Sequence, residues 1–185
     1  MSGDDILRGR MMVDPGGGGS LPIPEPISLI PADGPAILKI DTPRSKWVLG
    51  KTSRREHSFS DGVRARLGPT ITGEATFTLT MLGERPGSGR CQVAVTGAAE
   101  NTGMIWRDTA KGRELDSWGG PPTRIEAVAC VPHLPGTPAT VRVQALDAKG
   151  QPGGALTVET AEPGSVRVHL CGRAALWYLV TWGGS

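Results

Sequence analysis

The stretch that decides the fold is Thr140–Trp182, which reads T-V-R-V-Q-A-L (140–146), D-A-K-G-Q-P-G-G (147–154), A-L-T-V-E-T (155–160), A-E-P-G (161–164), S-V-R-V-H-L-C (165–171), G-R (172–173) and A-A-L-W-Y-L-V-T-W (174–182). Apolar residues recur at every second position. Val141, Val143 and Ala145, then Leu156 and Val158, then Val166, Val168 and Leu170 fall on one side, and Arg142, Gln144, Arg167 and His169 on the other. A period of two is that of half-buried strands, and the Gly- and Pro-containing pieces between them are turns. The last run differs, because Trp177, Tyr178, Leu179 and Val180 leave it no polar side. It reads as a strand covered on both faces, either within the fold or by another chain, with Trp177 and Leu179 as candidate interface residues.

The same alternation extends toward the N-terminus. In E-A-T-F-T-L-T-M-L (74–82), Ala75, Phe77, Leu79 and Met81 face one way and three threonines the other. Shorter runs at 36–40, 46–49, 63–67, 91–96, 103–107 and 123–131 are further strands, whereas A-K-G-R-E-L-D-S-W-G-G-P-P (110–122) reads as a long loop. No segment has helical periodicity. The expectation is an all-β, antiparallel β-sandwich or jelly roll of about ten short strands. One domain over 32–185 suits the length, with a subdivision near 112–122 as the alternative. The run V-R-V-Q-A-L-D-A-K-G-Q-P-G (141–153) resembles the strand and turn of immunoglobulin-like sandwich domains. That resemblance covers thirteen residues, the Cys…Trp…Cys framework is missing, and it implies no functional residue.

Residues 1–31 read as an N-terminal arm. G-G-G-G-S (16–20) is a flexible linker, and L-P-I-P-E-P-I-S-L-I-P (21–31) is a stiff, donor-poor strip whose Leu21, Ile23, Ile27, Leu29 and Ile30 suit docking across a surface. The bland alternative is an expression leader followed by a poorly ordered tail. The N-terminus shows no signal-peptide pattern, and no run approaches the roughly 20 apolar residues of a membrane-spanning helix. The chain is therefore expected to be made in the cytoplasm without a signal peptide. A net charge of +2 gives no strong overall field toward nucleic acid or an anionic membrane, and neither is expected as a partner. Cys91, Cys130 and Cys171 are odd in number, far apart and within strand-like runs, which suits thiols; one disulfide with a free cysteine is the alternative.

A search for chemistry finds little. There is no G-x-S-x-G elbow and no phosphate loop, and His57, His133 and His169 are scattered, so no cofactor, no metal site and no catalytic residue is expected. Glu74, Asp108, Glu114, Asp116 and Glu126 are available carboxylates with nothing to set one apart. Residues 43–67 concentrate Arg44, Lys46, Lys51, Arg54, Arg55, Arg64 and Arg66 around Trp47 and Phe59, which reads first as a solvated basic face. The aromatic composition is more telling: five of eight are tryptophan. Trp106 precedes Arg107, and Trp118 lies in S-W-G-G-P-P; these three residues are candidates for contact with a protein partner or a glycan. The expected function is that of a non-enzymatic structural or assembly protein. By analogy it is of the kind that decorates a bacteriophage capsid or tail and enters the virion, with protein partners in a homo-oligomer or larger assembly. A carbohydrate-binding module is the alternative.

Overall fold

The computed structural model describes residues 27–32, 34–82, 86–110, 112–171 and 175–183. The chain opens with β1 (Ile27–Ala32), β2 (Gly34–Asp41) and β3 (Ser45–Gly50), then changes sheet for β4 (Glu56–Ser58) and β5 (Arg64–Leu67), with a single 3-10 turn, Ser60–Gly62, between them. It returns for β6 (Ala75–Met81) and β7 (Gly89–Thr96). Four strands then lie outside both main sheets: β8 (Ala99–Thr102), β9 (Ile105–Thr109), β10 (Gly112–Ser117) and β11 (Gly120–Ile125). β12 (Ala129–Pro135) joins the second sheet, and β13 (Val141–Leu146) and β14 (Pro152–Ala155) the first. β15 (Val158–Glu162), β16 (Ser165–Val168) and β17 (Leu170–Cys171) belong to the second, and β18 (Trp177–Trp182) closes the first.

The expected all-β antiparallel architecture is present, as an eight-stranded sheet in the order β1-β2-β3-β6-β7-β18-β13-β14 and a second sheet in the order β15-β16-β12-β5-β4 with β17 also on β12. The described strands number eighteen rather than about ten. Part of the excess comes from the segment read as a loop at 110–122, which holds β10 and the start of β11. Those strands pair with β9 and β8 and bury no face, so they carry no alternation to be read.

The core is one cluster fed by both sheets. β6 alternates buried and half-buried without exception, placing Ala75, Phe77, Leu79 and Met81 inward beside Cys91, Val93 and Val95 of β7 and Tyr178, Val180 and Trp182 of β18. Ala65, Leu67, Cys130, Leu134, Val166, Val168 and Leu170 answer from the second sheet. Burial pushes the Cys91 and Cys130 thiols up, and both are unpaired. The Trp182 indole donates to the Pro135 carbonyl at 2.7 Å, tying β18 to the opposite sheet. β18 lies between β7 and β13 in the first sheet, and its outward residues Trp177 and Leu179 follow the opposite parity from the core row.

One charged group goes inward. Lys46 shares the parity of Val48 on β3 and is fully buried, so it is absent from the basic surface that the sequence suggests. Burying an ammonium is tolerable only with partners around it. Its Nζ donates to Asp41 Oδ1 at 2.8 Å, to Asp61 Oδ2 at 3.0 Å and to Ser60 Oγ. The Ser60 amide and hydroxyl both donate to Asp41, at 2.8 and 2.7 Å. Lys39 adds a second tie, donating to the Ser58 carbonyl at 2.6 Å with its Nζ 5.1 Å from the centre of the Phe59 ring. These contacts staple β2 and β3 to the segment 58–61 that leads into the other sheet.

The ionisation of three groups follows from this packing. Burial alone pushes the Asp41 carboxyl up, but hydrogen bonds from Lys46 and Ser60 outweigh it and hold it below 3.8. Burial holds His57 below 6.5, helped by the charges of Arg55 and Lys39 and opposed by the Thr52 carbonyl. His133 is also held below 6.5, by burial first and then by Arg64 and Arg167, with Glu56 opposing. Just under 6.5 the unfolded chain therefore binds more protons at these histidines, so stability is expected to fall as the pH drops through that value. The Asp41 contribution is present above 3.8 and is expected to vanish as the pH falls through its lowered folded value. Thermal unfolding followed across both ranges checks the assignment: His57→Gln should reduce the upper limb and Asp41→Asn the lower. A profile left unchanged by both substitutions contradicts it.

Candidate functional site

β8 to β11 form one long hairpin that leaves the body after β7 and returns to it before β12. At about 3.3 Å per residue its paired arms extend on the order of 40 Å when straight. Its root is fixed by Glu126, whose carboxylate accepts from the amides of Ile71 at 2.6 Å and Ala98 at 3.3 Å. The Glu126 amide in turn donates to the Ala98 carbonyl at 2.8 Å. Beyond the root the hairpin is held by its own ladder and by charge pairs. Arg107 faces Glu114 across the strands and reaches Asp116, at 3.4 and 3.9 Å.

A joint divides the hairpin where Gly103–Met104 and Trp118–Gly119 interrupt the pairing between β8/β11 and β9/β10. The chains approach so closely here that a Cβ on Gly119 would lie 2.3 Å from the Thr102 carbonyl oxygen and 2.5 Å from the Met104 nitrogen, and its φ of +62° is already in the left-handed region. Asn101 ties the joint together. Its Nδ2 donates to the Trp118 carbonyl at 3.1 Å, its Oδ1 accepts from the Thr123 hydroxyl at 2.9 Å, and its backbone carbonyl accepts from Met104 at 3.1 Å. With its backbone fixed this way, Trp118 holds its indole 71 % exposed.

The hairpin carries an excess of apolar surface for an element with no core. Of the seven large hydrophobic residues exposed among those described, Ile105, Trp106, Trp118 and Ile125 are on it, and Ile71 is hydrogen-bonded to its root. Trp106 sits opposite Leu115 on one face, with the Arg113 guanidinium 5.0 Å from its ring centre and its Nε1 donating to Glu100 at 3.1 Å. Arg107, adjacent in sequence, lies on the other face of the same strand. The structure thus brings Trp106, Arg107 and Trp118 onto one element. Ile105, Arg113, Leu115 and Ile125 join them, and only the spacing of apolar residues around Trp106 hinted at these in the sequence.

The other sequence candidates are dispersed. Leu21 and Ile23 lie outside the described residues; Ile27, Leu29 and Ile30 belong to β1, the edge strand paired with β2. Among the carboxylates, Glu74 pairs with Lys51 at 3.2 Å, Glu126 fixes the hairpin root, and Glu114 and Asp116 are bound to Arg107. The cations divide between surfaces. Arg64, Arg66, His133 and Arg167 line the outward face of the second sheet, where Arg64 donates to His133 Nδ1 at 3.1 Å and pairs with Glu162. Phe59 is buried and Trp47 is on the other sheet, so neither ring is available to stack beside those arginines. Among the described residues no group of three or more His, Cys, Asp or Glu side chains is placed to hold a metal ion.

No protein family matches the sequence, and neither a curated protein nor a solved structure matches the chain. The hairpin's role is therefore argued from its geometry alone. Because Trp118 is exposed and outside the core cluster, Trp118→Ala is expected to change global stability by less than about 0.5 kcal/mol. Gly119→Ala should break the joint and alter tryptophan fluorescence while leaving the main unfolding midpoint within a few degrees, whereas Phe77→Ala should cost about 3–5 kcal/mol. Equal losses of midpoint for Gly119→Ala and Phe77→Ala would show that the hairpin is part of the core.

Proposed function

We propose that this protein is a non-enzymatic assembly or accessory protein whose two-sheet body presents the hairpin Ala99–Ile125 to a protein partner. The observation that carries the reading is the hairpin's exposed apolar surface, held at a defined joint and rimmed by Arg107, Arg113, Glu114 and Asp116. An exposed tryptophan with arginines beside it is the composition of an interface hot spot. A large component such as a phage capsid or tail, to which the protein would attach as decoration, fits a projecting element of this kind; that assignment rests on analogy.

Glycan binding is the second reading, and the hairpin geometry favours it less. A sugar ring stacks on an open indole face, but Trp106 already has Arg113 near its ring and Glu100 on its ring nitrogen. Trp118 alone remains an open platform.

A photo-crosslinking residue in place of Trp118, introduced into the full chain and irradiated in lysate of the cells that make it, tests the first reading. One discrete protein adduct is expected, competed away by unlabelled protein, weakened by Gly119→Ala, and missing when the probe is placed instead at Ala148 on the 147–150 turn. Identical adducts from both positions, or none from Trp118, contradict the proposal. Glycan-array binding abolished by Trp118→Ala would establish the second reading in its place.

A further inference from the structure

The hairpin is rooted at one end of the body, and an apolar cavity lies at the other. The hairpin departs just after Thr96, the last residue of β7. Gly89, the first residue of that strand, is opposite Trp182 of β18, which is in turn opposite Val141 of β13. Eight residues of β7 thus separate the two ends, roughly 23 Å along the strand. At the Gly89 end, Pro138, Ala139, Val141, Ala155 and Leu156 line a cavity of about 530 Å³, together with Arg142. That volume is within the roughly 300–1,000 Å³ of sites that enclose whole small molecules, so a single indole ring fits. No hairpin residue lines the cavity, and Trp118 is exposed, so the ring does not fill the cavity of its own chain.

We propose that this cavity receives Trp118 of a second copy, so that the chain associates head to tail. The inference rests on the hairpin as the contact element and names its partner. Chemistry matches first: an exposed aromatic ring meets a concave apolar lining, the arrangement of a buried interface anchor. Charge matches next. From residue 114 to residue 123 the charged side chains are Glu114 and Asp116, and both share the single guanidinium of Arg107, which leaves one negative charge two residues from Trp118. Arg142 at the cavity is exposed and, among the described residues, is in no ion pair. The backbone of Trp118 is already held by Asn101 and by the close approach at Gly119, so docking has less to order. Ring and cavity are different surfaces rooted at different ends. Each copy therefore gives one contact and takes one, and association continues past the dimer.

Sedimentation velocity of the full chain is expected to show species larger than a dimer as the concentration rises to about 100 μM. Trp118→Ala should raise the dissociation constant at least roughly 30-fold, and Trp118→Phe by less. Ala155→Glu, on the exposed edge strand β14, sets a carboxylate into the cavity and should weaken association as much as Trp118→Ala; Arg142→Glu should do so to a smaller degree. Trp118 and Ala155 are both exposed, so the thermal midpoints of these two variants should stay at the wild-type value. Mixing them discriminates most sharply. One variant keeps the cavity and the other keeps the ring, so the mixture should form a one-to-one heterodimer that grows no further. A wild-type chain that stays monomeric at about 100 μM overturns the proposal, as does association indifferent to either substitution or a mixture that stays monomeric. If it falls while the crosslinker at Trp118 captures a different protein, the hairpin remains the contact element; if the crosslinker captures nothing, both readings fall.

Discussion

Strand β18 is the joint on which the larger sheet depends. It alone bridges β7 and β13. Without it the eight strands would separate into a five-stranded sheet ending at β7 and the pair β13–β14. Its inward residues Tyr178, Val180 and Trp182 also occupy the middle of the core, and the Trp182 indole reaches the backbone of β12 across it. The sheet is thus joined by a pairing of β18 with β7, two strands far apart in the sequence, which is the long-range type of pairing that folds slowly. The two sides of this strand differ in role: Tyr178, Val180 and Trp182 serve the core, and Trp177 and Leu179 face away from it.

A second constraint acts at the opposite end of the chain's course. Lys46 lies inside only because Asp41, Asp61 and Ser60 surround it, so the loop after β4 must take one position relative to β2 and β3. Removing one partner from such a buried set is far more costly than never having built it. Its value here is positional, since it fixes how the first three strands meet the second sheet. The hairpin is under no such constraint. Among the described residues its hydrogen bonds to the body gather at Glu126, and Trp118 beyond them stays exposed.

The readable and unreadable parts of the sequence divide along the same line. β6, β7, β13 and β16 were legible because each buries one face, and burial writes a period of two into the residues, whereas β18 was legible as a continuous apolar run. β10 and β11 were not, because strands that satisfy only each other's backbone need no apolar side. Lys46 left a usable signal, two residues from Val48 and on the same parity, but a lysine's charge argues against burial until its acidic partners are known to be near. At the candidate site, the tryptophan excess marked Trp106 and Trp118 as anomalous. Their place on one element depended on the register of β8 with β11 and β9 with β10, which no local pattern encodes.

The two-sheet body is rigid, and the hairpin that it carries is energetically separate from it. Amide hydrogen exchange on the intact protein, resolved by residue, tests it most directly. The amides of Phe77, Val93 and Val180 are expected to exchange only through global unfolding, at a rate that tracks added denaturant. Those of Arg107 and Glu114 should exchange through local opening, faster by orders of magnitude and nearly independent of denaturant. Hairpin amides that exchange together with those of β6, β7 and β18 would contradict the account, because the hairpin would then belong to the same cooperative unit as the core.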